Sequence, residues 1–244
     1  MKNWLTLEPD EVRLLNRHFT PGRGGAQVEF VTIHHMAMVG GLLECWRVWQ
    51  DREASAHYTI DPRGRIGQAV WDRDTAWSNA NAYSNARSIS IEHSNSAGAA
   101  EDWPISPATL EEGAHLVAAI CRFYKLGRPV SGKNVRFHNI ESGGITSCPY
   151  HLRPGGKYHD TYMRRAQYWY DQRTKPAGTP APTLKEDSIM ERYVKDTKAQ
   201  LTGSPNLGQY PGWDQLGGRT LVDAVAAIGA KLELDGFKDP KGAK

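Results

Sequence analysis

Val28-Glu29-Phe30-Val31-Thr32-Ile33-His34-His35 is the stretch from which the chain is best read. It is apolar and rich in β-branched residues, which suit a pleated, buried strand. At a two-residue period Val31, Ile33 and His35 share one face, while Thr32 and His34 share the other. Residues 42–52 then read as a helix with Leu42, Leu43, Trp46 and Trp49 on one side. Residues 56–60 read as a strand, Asp61-Pro62-Arg63-Gly64 as a turn, and residues 65–70 as the returning strand of a hairpin. In residues 88–94, Ile89, Ile91 and His93 fall on one face, opposite Ser88, Ser90 and Glu92.

A well-marked helix follows. Ser106 is its cap, Pro107 suits its first position, and Gly127 marks a stop. Leu110, Ala114, Val117, Ile120, Cys121 and Tyr124 form its apolar stripe. Residues 129–138 contain a short strand ending near His138, and residues 161–172 a last helix. Alternating strands and helices predict an α/β layered domain.

Composition changes at Lys175-Pro176-Ala177-Gly178-Thr179-Pro180-Ala181-Pro182. Proline, alanine and glycine without a period read as an extended linker. The expected organisation is a domain over residues 1–175, a Pro-rich linker over 176–182, and a small, mostly helical module over 183–244. That module shows weak helical patterns at 187–201 and 220–234. In the second, Leu221, Val225 and Ile228, with Ala224 beside them, form an apolar stripe. The stripe needs a partner, either the 187–201 helix or a second copy of the chain.

Bulk properties bound the function. With 244 residues, 39% hydrophobic and 23% charged, the chain is long and apolar enough for one sizeable domain and an appendage. A formal net charge of +3 gives no electrostatic case for nucleic acid. No 18-residue apolar run exists, so no membrane-spanning helix is expected. Met1-Lys2-Asn3-Trp4-Leu5 lacks the apolar core of a secretory signal, which fits synthesis in the cytoplasm. Cys45, Cys121 and Cys148 are too few and odd in number for a disulfide framework. Cys45 and Cys121 read as packing residues.

His34, His138 and Cys148 carry the chemistry. A histidine near a strand end is weak evidence alone. His138 and Cys148, however, belong to one short segment that approaches through Gly143-Gly144 and closes on Cys148-Pro149. Two imidazoles and a thiolate, with a fourth position left to water, make a catalytic zinc site and point to hydrolysis. Two other readings stay open: a structural zinc site with a fourth protein ligand, and a cysteine hydrolase using Cys148 with His138.

Five motifs occur in order: Ile33-His34-His35, Ser55-Ala56-His57-Tyr58-Thr59-Ile60-Asp61, Ala76-Trp77, Ser88-Ile89-Ser90-Ile91-Glu92, and Phe137-His138 with Thr146-Ser147-Cys148-Pro149. Together they resemble the type 2 N-acetylmuramoyl-L-alanine amidases, a family that includes phage lysins and animal peptidoglycan recognition proteins. The resemblance spans roughly residues 28–170. It implies a mixed central β-sheet flanked by helices, with zinc in an open groove. His34, His138 and Cys148 match the family's zinc ligands, which leaves His35 on the opposite face as a core or supporting residue. Glu92 matches an acidic residue placed to activate water as a general base; its bland alternative is a solvated strand-end glutamate. Thr146 matches a lysine or threonine near the attacked carbonyl, where a hydroxyl can stabilise the oxyanion. Alternatively it only bonds its own loop.

Two departures bear on the surroundings of the metal. Ala56 stands where many members have a tyrosine, and Ser78 where some have a histidine. His57 and Tyr58, which follow that slot, join Trp77 and Tyr83 as substrate-side expectations; for His57 a satisfied core residue is the alternative. Trp46, Trp49 and Trp71 are weighed as further groove aromatics against core packing. The resemblance implies zinc-dependent hydrolysis of the amide between N-acetylmuramic acid and L-alanine in peptidoglycan. The enzyme would be a phage or prophage endolysin that reaches the wall after release from the cytoplasm. A non-catalytic peptidoglycan-binding module is the alternative, but non-hydrolytic relatives typically lose the cysteine, and Cys148 is present. Trp213-Asp214-Gln215-Leu216-Gly217-Gly218-Arg219-Thr220-Leu221 resembles segments near the ends of lysins from phages of actinobacteria, which implies wall binding or self-association for the tail.

Overall fold

β3 (Phe30–His35) is buried at every position and lies one strand in from an edge of a six-stranded mixed sheet. The computed structural model describes residues 7–174, 197–199, 201–204 and 211–238. The other strands of the sheet are β1 (Glu11–Val12), β4 (Tyr58–Ile60), β5 (Ile66–Gln68), β7 (Ser88–His93) and β8 (Val135–Phe137), in the order β1-β5-β4-β7-β3-β8. β2 (Phe19–Thr20) and β6 (Thr75–Ala76) form a separate antiparallel pair. The expected hairpin is β4 with β5, closed by Asp61, whose Oδ1 accepts from the Arg63 and Arg65 amides at 2.8 Å.

Register is what positions the chemistry. β3 runs parallel to β7 with His34 opposite Glu92, and parallel to β8 with Ile33 opposite Phe137. His34, Glu92 and His138 therefore reach the same end of three neighbouring parallel strands. That end, beyond the carboxyl termini of parallel strands, is where open α/β sheets bind ligands.

The two faces of the sheet bury different cores. Val31, Ile33, Ile89, Ile91 and Phe137 pack with Leu116, Val117 and Ile120 of α3 (Pro107–Phe123) and with Tyr162 and Ala166 of α5 (His159–Thr174). Ser106 caps α3, accepting from the Thr109 amide at 3.0 Å. The helix stops at Phe123, before Gly127, and the backbone turns left-handed already at Lys125. The second core gathers Cys45 and Trp49 of α1 (Leu42–Asp51) with Met36, Ala56, Ala69 and Val70. Leu43, expected on the inner side of α1, is exposed instead, because the buried arc runs through Leu42, Cys45 and Trp49. Two short helices were not apparent from the sequence: α2 (Ala82–Arg87), capped by Asn81, and α4 (His138–Glu141), which starts directly on a candidate ligand.

Contacts divide the chain into two compact units, Met1–Lys175 and Pro176–Lys244. In the second, a bridge between Trp213 and Arg219 encloses a 3-10 turn, Asp214–Leu216. α6 (Leu221–Lys231) follows, capped by Thr220, whose Oγ1 accepts from the Asp223 amide at 3.1 Å. Ala224 and Gly229 of α6 are buried, and a Cβ at Gly229 would strike the Phe237 ring, so this face is closed by the chain's own tail. Leu221, Val225 and Ile228 are exposed. The linker over 176–182 and most of the 187–201 pattern lie outside the described residues. No described helix is long and apolar enough to cross a membrane.

Candidate functional site

At the carboxyl end of β3, the His34 and His138 Nδ1 atoms lie 3.1 Å apart, and Cys148 Sγ lies 3.9 Å from His34 Nδ1. One ligand atom from each residue falls within 4.8 Å of the others, a spacing that can hold one metal ion. For tetrahedral zinc with ordinary zinc–nitrogen and zinc–sulfur bonds, the edges come to about 3.3 Å between nitrogens and about 3.6 Å from nitrogen to sulfur. The two edges at His34, 3.1 and 3.9 Å, lie close to those figures, and the N/N/S donor chemistry suits zinc.

Each ligand is placed by its local structure. His34 is fixed by the β3 register and is 1% exposed. Beneath it Asn79 ties Thr32, Ser84 and Ser88 together through three hydrogen bonds of 3.1–3.2 Å. His138 begins α4 at the end of β8. Cys148 arrives on a loop whose carbonyl accepts from the Asn139 amide at 2.7 Å, and its sulfur accepts from the His35 amide at 3.3 Å. Burial, helped by the neighbouring His138, holds the His34 imidazole neutral by lowering its pKa well below the usual histidine value. Burial, then Arg52, lowers His138 to about 4. Neutral imidazole is the form that binds metal. Burial, followed by the nearby Glu92, raises the Cys148 thiol, so without a cation the group is a poor nucleophile.

Glu92 Oε1 is 3.9 Å from His34 Nδ1. Its Oε2 is buried and has no hydrogen-bond partner among the described residues. Burial raises its pKa to about 7, with Arg52 pulling the other way. An acid with that value can both take and return a proton near neutrality. Thr146 Oγ1 accepts from the Cys148 amide at 3.1 Å. The loop bond uses only the oxygen's acceptor side and leaves the hydroxyl proton to be donated, so both readings of Thr146 are compatible.

The substrate-side expectations fare differently. His57 and Tyr58 are 0% and 1% exposed and turn inward, so neither offers surface to a ligand. His57 is held by Ser90, the Arg23 guanidinium at 3.0 Å and the Asp74 carbonyl. Tyr58 donates to Asp72 at 2.8 Å, as Tyr124 does at 3.0 Å. These two assignments are corrected: both side chains are buried and tied up by polar partners within the domain. Trp77 is partly exposed and donates to Thr20 Oγ1 at 2.9 Å. Tyr83 lies on α2 rather than in a loop, and the Arg87 guanidinium covers one face of its ring at 3.7 Å. Neither borders the two cavities beside the triad.

One of those cavities, of about 340 Å³, is bordered by Thr146, Cys148, Asp102, Trp103 and Tyr150. The other, of about 160 Å³, is bordered by Glu92, Met36, Met38, Trp49 and Arg52. Asp102, Trp103, Tyr150 and Arg52 escaped the sequence reading. The available signals were Tyr150 two residues after Cys148, and Trp103 in a turn rich in small residues.

The sequence model of the N-acetylmuramoyl-L-alanine amidase family matches residues 24–151, just over half of the chain. A second model, the Rv3766 C-terminal domain, matches residues 182–237. Among solved structures the chain is similar to PlyL (17% identity, 65% of this chain and 97% of that one, TM-score 0.52). It is similar to the PlyG catalytic domain (18%, 68% and 98%, TM-score 0.52). It also resembles the Staphylococcus aureus hydrolase AmiA in complex with its ligand (19%, 69% and 87%, TM-score 0.52). At these identities the likeness establishes the shared mixed-sheet fold. No curated protein matches the chain.

Proposed function

Since the chain belongs to the N-acetylmuramoyl-L-alanine amidase family, we propose that it hydrolyses the amide joining the lactyl group of N-acetylmuramic acid to L-alanine in peptidoglycan, with zinc on His34, His138 and Cys148. The observation that carries this reading is the convergence of three metal-type donors and a carboxylate of raised pKa at one sheet end. His34, His138 and Cys148 would hold the zinc, which would supply Lewis-acid polarisation of the carbonyl and a water usable as nucleophile near neutral pH. Glu92 accepts a proton from the attacking water and delivers it to the departing nitrogen. The carbonyl carbon gains the oxygen, the C–N bond breaks, and a lactyl carboxyl group and an L-alanyl amine leave. Thr146 donates its hydroxyl proton toward the oxygen on which negative charge develops. The lytic setting is that of an endolysin acting on the wall after release from the host cytoplasm, and residues 183–244 form a module for wall binding or self-association.

The test is metal dependence of wall lysis. Chelation should abolish clearing of a wall suspension, and zinc should restore it. Cys148→Ser should lose zinc content and activity together. Full activity in chelator, with loss in Cys148→Ser, would instead establish a thiol nucleophile.

A further inference from the structure

The two cavities beside the triad share Met36 and Ala37 as a common wall but differ in everything else that borders them. The larger one meets the triad at Cys148 and Thr146. Its outer wall joins two loops: Tyr150 donates to Asp102 Oδ1 at 2.9 Å, and His151 Nε2 lies 2.6 Å from the Asp102 carbonyl. Asp102, Trp103 and Tyr150 all take left-handed backbone conformations, with φ of 58°, 49° and 37°. Strain of that kind in three bulky or charged residues persists where the surroundings fix a functional geometry. They present two aromatic rings and a carboxylate side by side. The smaller cavity is bordered by Glu92, whose Oε1 lies 3.9 Å from His34 Nδ1 of the triad, and is otherwise apolar, apart from the Arg52 guanidinium. That guanidinium acts electrostatically on Glu92 in the same cavity, and no side-chain hydrogen bond or ion pair holds it among the described residues.

An amide is cleaved asymmetrically. The group that returns a proton must face the nitrogen, and the group that steadies the oxyanion must face the acyl side. Glu92 borders only the smaller cavity and Thr146 only the larger. We propose that the substrate lies in one direction across the site: the muramoyl sugar fills the Trp103–Tyr150–Asp102 cavity, and the stem peptide enters the Met38–Trp49–Arg52 cavity. The proposal rests on the amidase reading above. Trp103 and Tyr150 then offer ring faces to the pyranose, and Asp102 accepts from its hydroxyls. The apolar wall takes the alanine methyl, and Arg52 pairs with a free carboxylate on the second stem residue. Arg52 is therefore a specificity residue, favouring stems whose second residue is a free acid over the amidated form.

The experiment uses the full-length zinc-loaded chain and three synthetic substrates: a muramoyl dipeptide with a free acid at its second residue, the same compound amidated there, and a lactyl dipeptide without the sugar. In Trp103→Ala the ratio of kcat/KM for sugar-bearing over sugar-free substrate should fall roughly three- to tenfold, the scale of one aromatic stacking contact. Trp103→Phe, which keeps a ring, should restore most of it. In Arg52→Gln the ratio for free acid over amide should fall roughly two- to fivefold, on the order of one partly exposed ion pair. A Trp103→Ala penalty that follows the peptide, an Arg52→Gln penalty that follows the sugar, or unchanged ratios in both variants would overturn the orientation while leaving the amidase reading in place. A wild-type chain that releases no L-alanyl amine from any of the three would overturn the amidase reading, and the orientation with it.

Discussion

Gly113→Ala reverses the sign normally expected of such a change, and the reversal ties the helix to the site. Gly113 lies inside α3, where alanine ordinarily adds about 1 kcal/mol of stability over glycine. Here a Cβ would stand 2.4 Å from His93 Nε2, 2.7 Å from its Cδ2 and 3.0 Å from Tyr162 Cε2. Carbon contacts relax only near 3.5 Å, so the His93 ring must move by about 1 Å. It is poorly placed to do so: it is fully buried, its Nδ1 is 2.8 Å from the His34 carbonyl and its Nε2 is 2.7 Å from the Tyr162 hydroxyl. Overpacking costs about 1–3 kcal/mol, and a spoiled buried hydrogen bond about 1–3 more. After the helix gain, the net loss is about 1–5 kcal/mol. Urea unfolding of the two proteins measures it directly. In a His93→Ala background the two shortest contacts disappear, only the 3.0 Å approach to Tyr162 remains, and the same substitution should cost much less, which gives a coupling energy for the pair. A Gly113→Ala protein as stable as wild type, with no coupling, would refute the claim that α3 is packed tightly onto β7 behind the candidate metal site.

Glu92→Gln should keep its zinc content by elemental analysis while turnover falls roughly 100-fold or more; near-normal turnover would assign the proton to another group. His57 is neutral in the folded chain, its pKa lowered to about 3 by burial and then by Arg23. Its contribution to stability is complete above its unfolded value of about 6.5 and is lost as pH falls from there toward about 3, at about 1.4 kcal/mol per pH unit. Equilibrium unfolding at several pH values should therefore show a shallower acid dependence for His57→Gln, and an identical slope would contradict the buried-neutral assignment. Residues 1–175 alone should fold, hold zinc and cleave soluble muropeptides, yet pull down less with intact walls or lose an oligomer in sedimentation. An insoluble fragment, or unchanged mass and wall affinity, would contradict a separable second module.

Legibility in the sequence followed the length of the periodic signal. β3 and β7 are long enough for alternation to separate His34 and Glu92 from the isoleucines behind them, and α3 carries both a cap and a stripe. β1, β2 and β6 span two residues each and have no period to read; their pairing depends on partners far along the chain. His57 and Tyr58 misled because a polar residue beside a motif suggests a site. The partners that bury them, Arg23 and Asp72, come from distant loops. The ligand triad was visible as residue types, but its closure depends on the β3–β8 register and the Cys148 loop. The cavity residues had only weak local signals, since Trp103 and Tyr150 meet only in the fold.

End-group analysis of purified peptidoglycan after digestion by the zinc-loaded chain tests the central claim most directly. The account predicts one new free amino terminus, on L-alanine, rising in step with muramoyl residues bearing a free lactyl carboxyl group, and no new reducing sugar ends. New reducing ends, a new amino terminus on a residue other than L-alanine, or no new end group at all would contradict it.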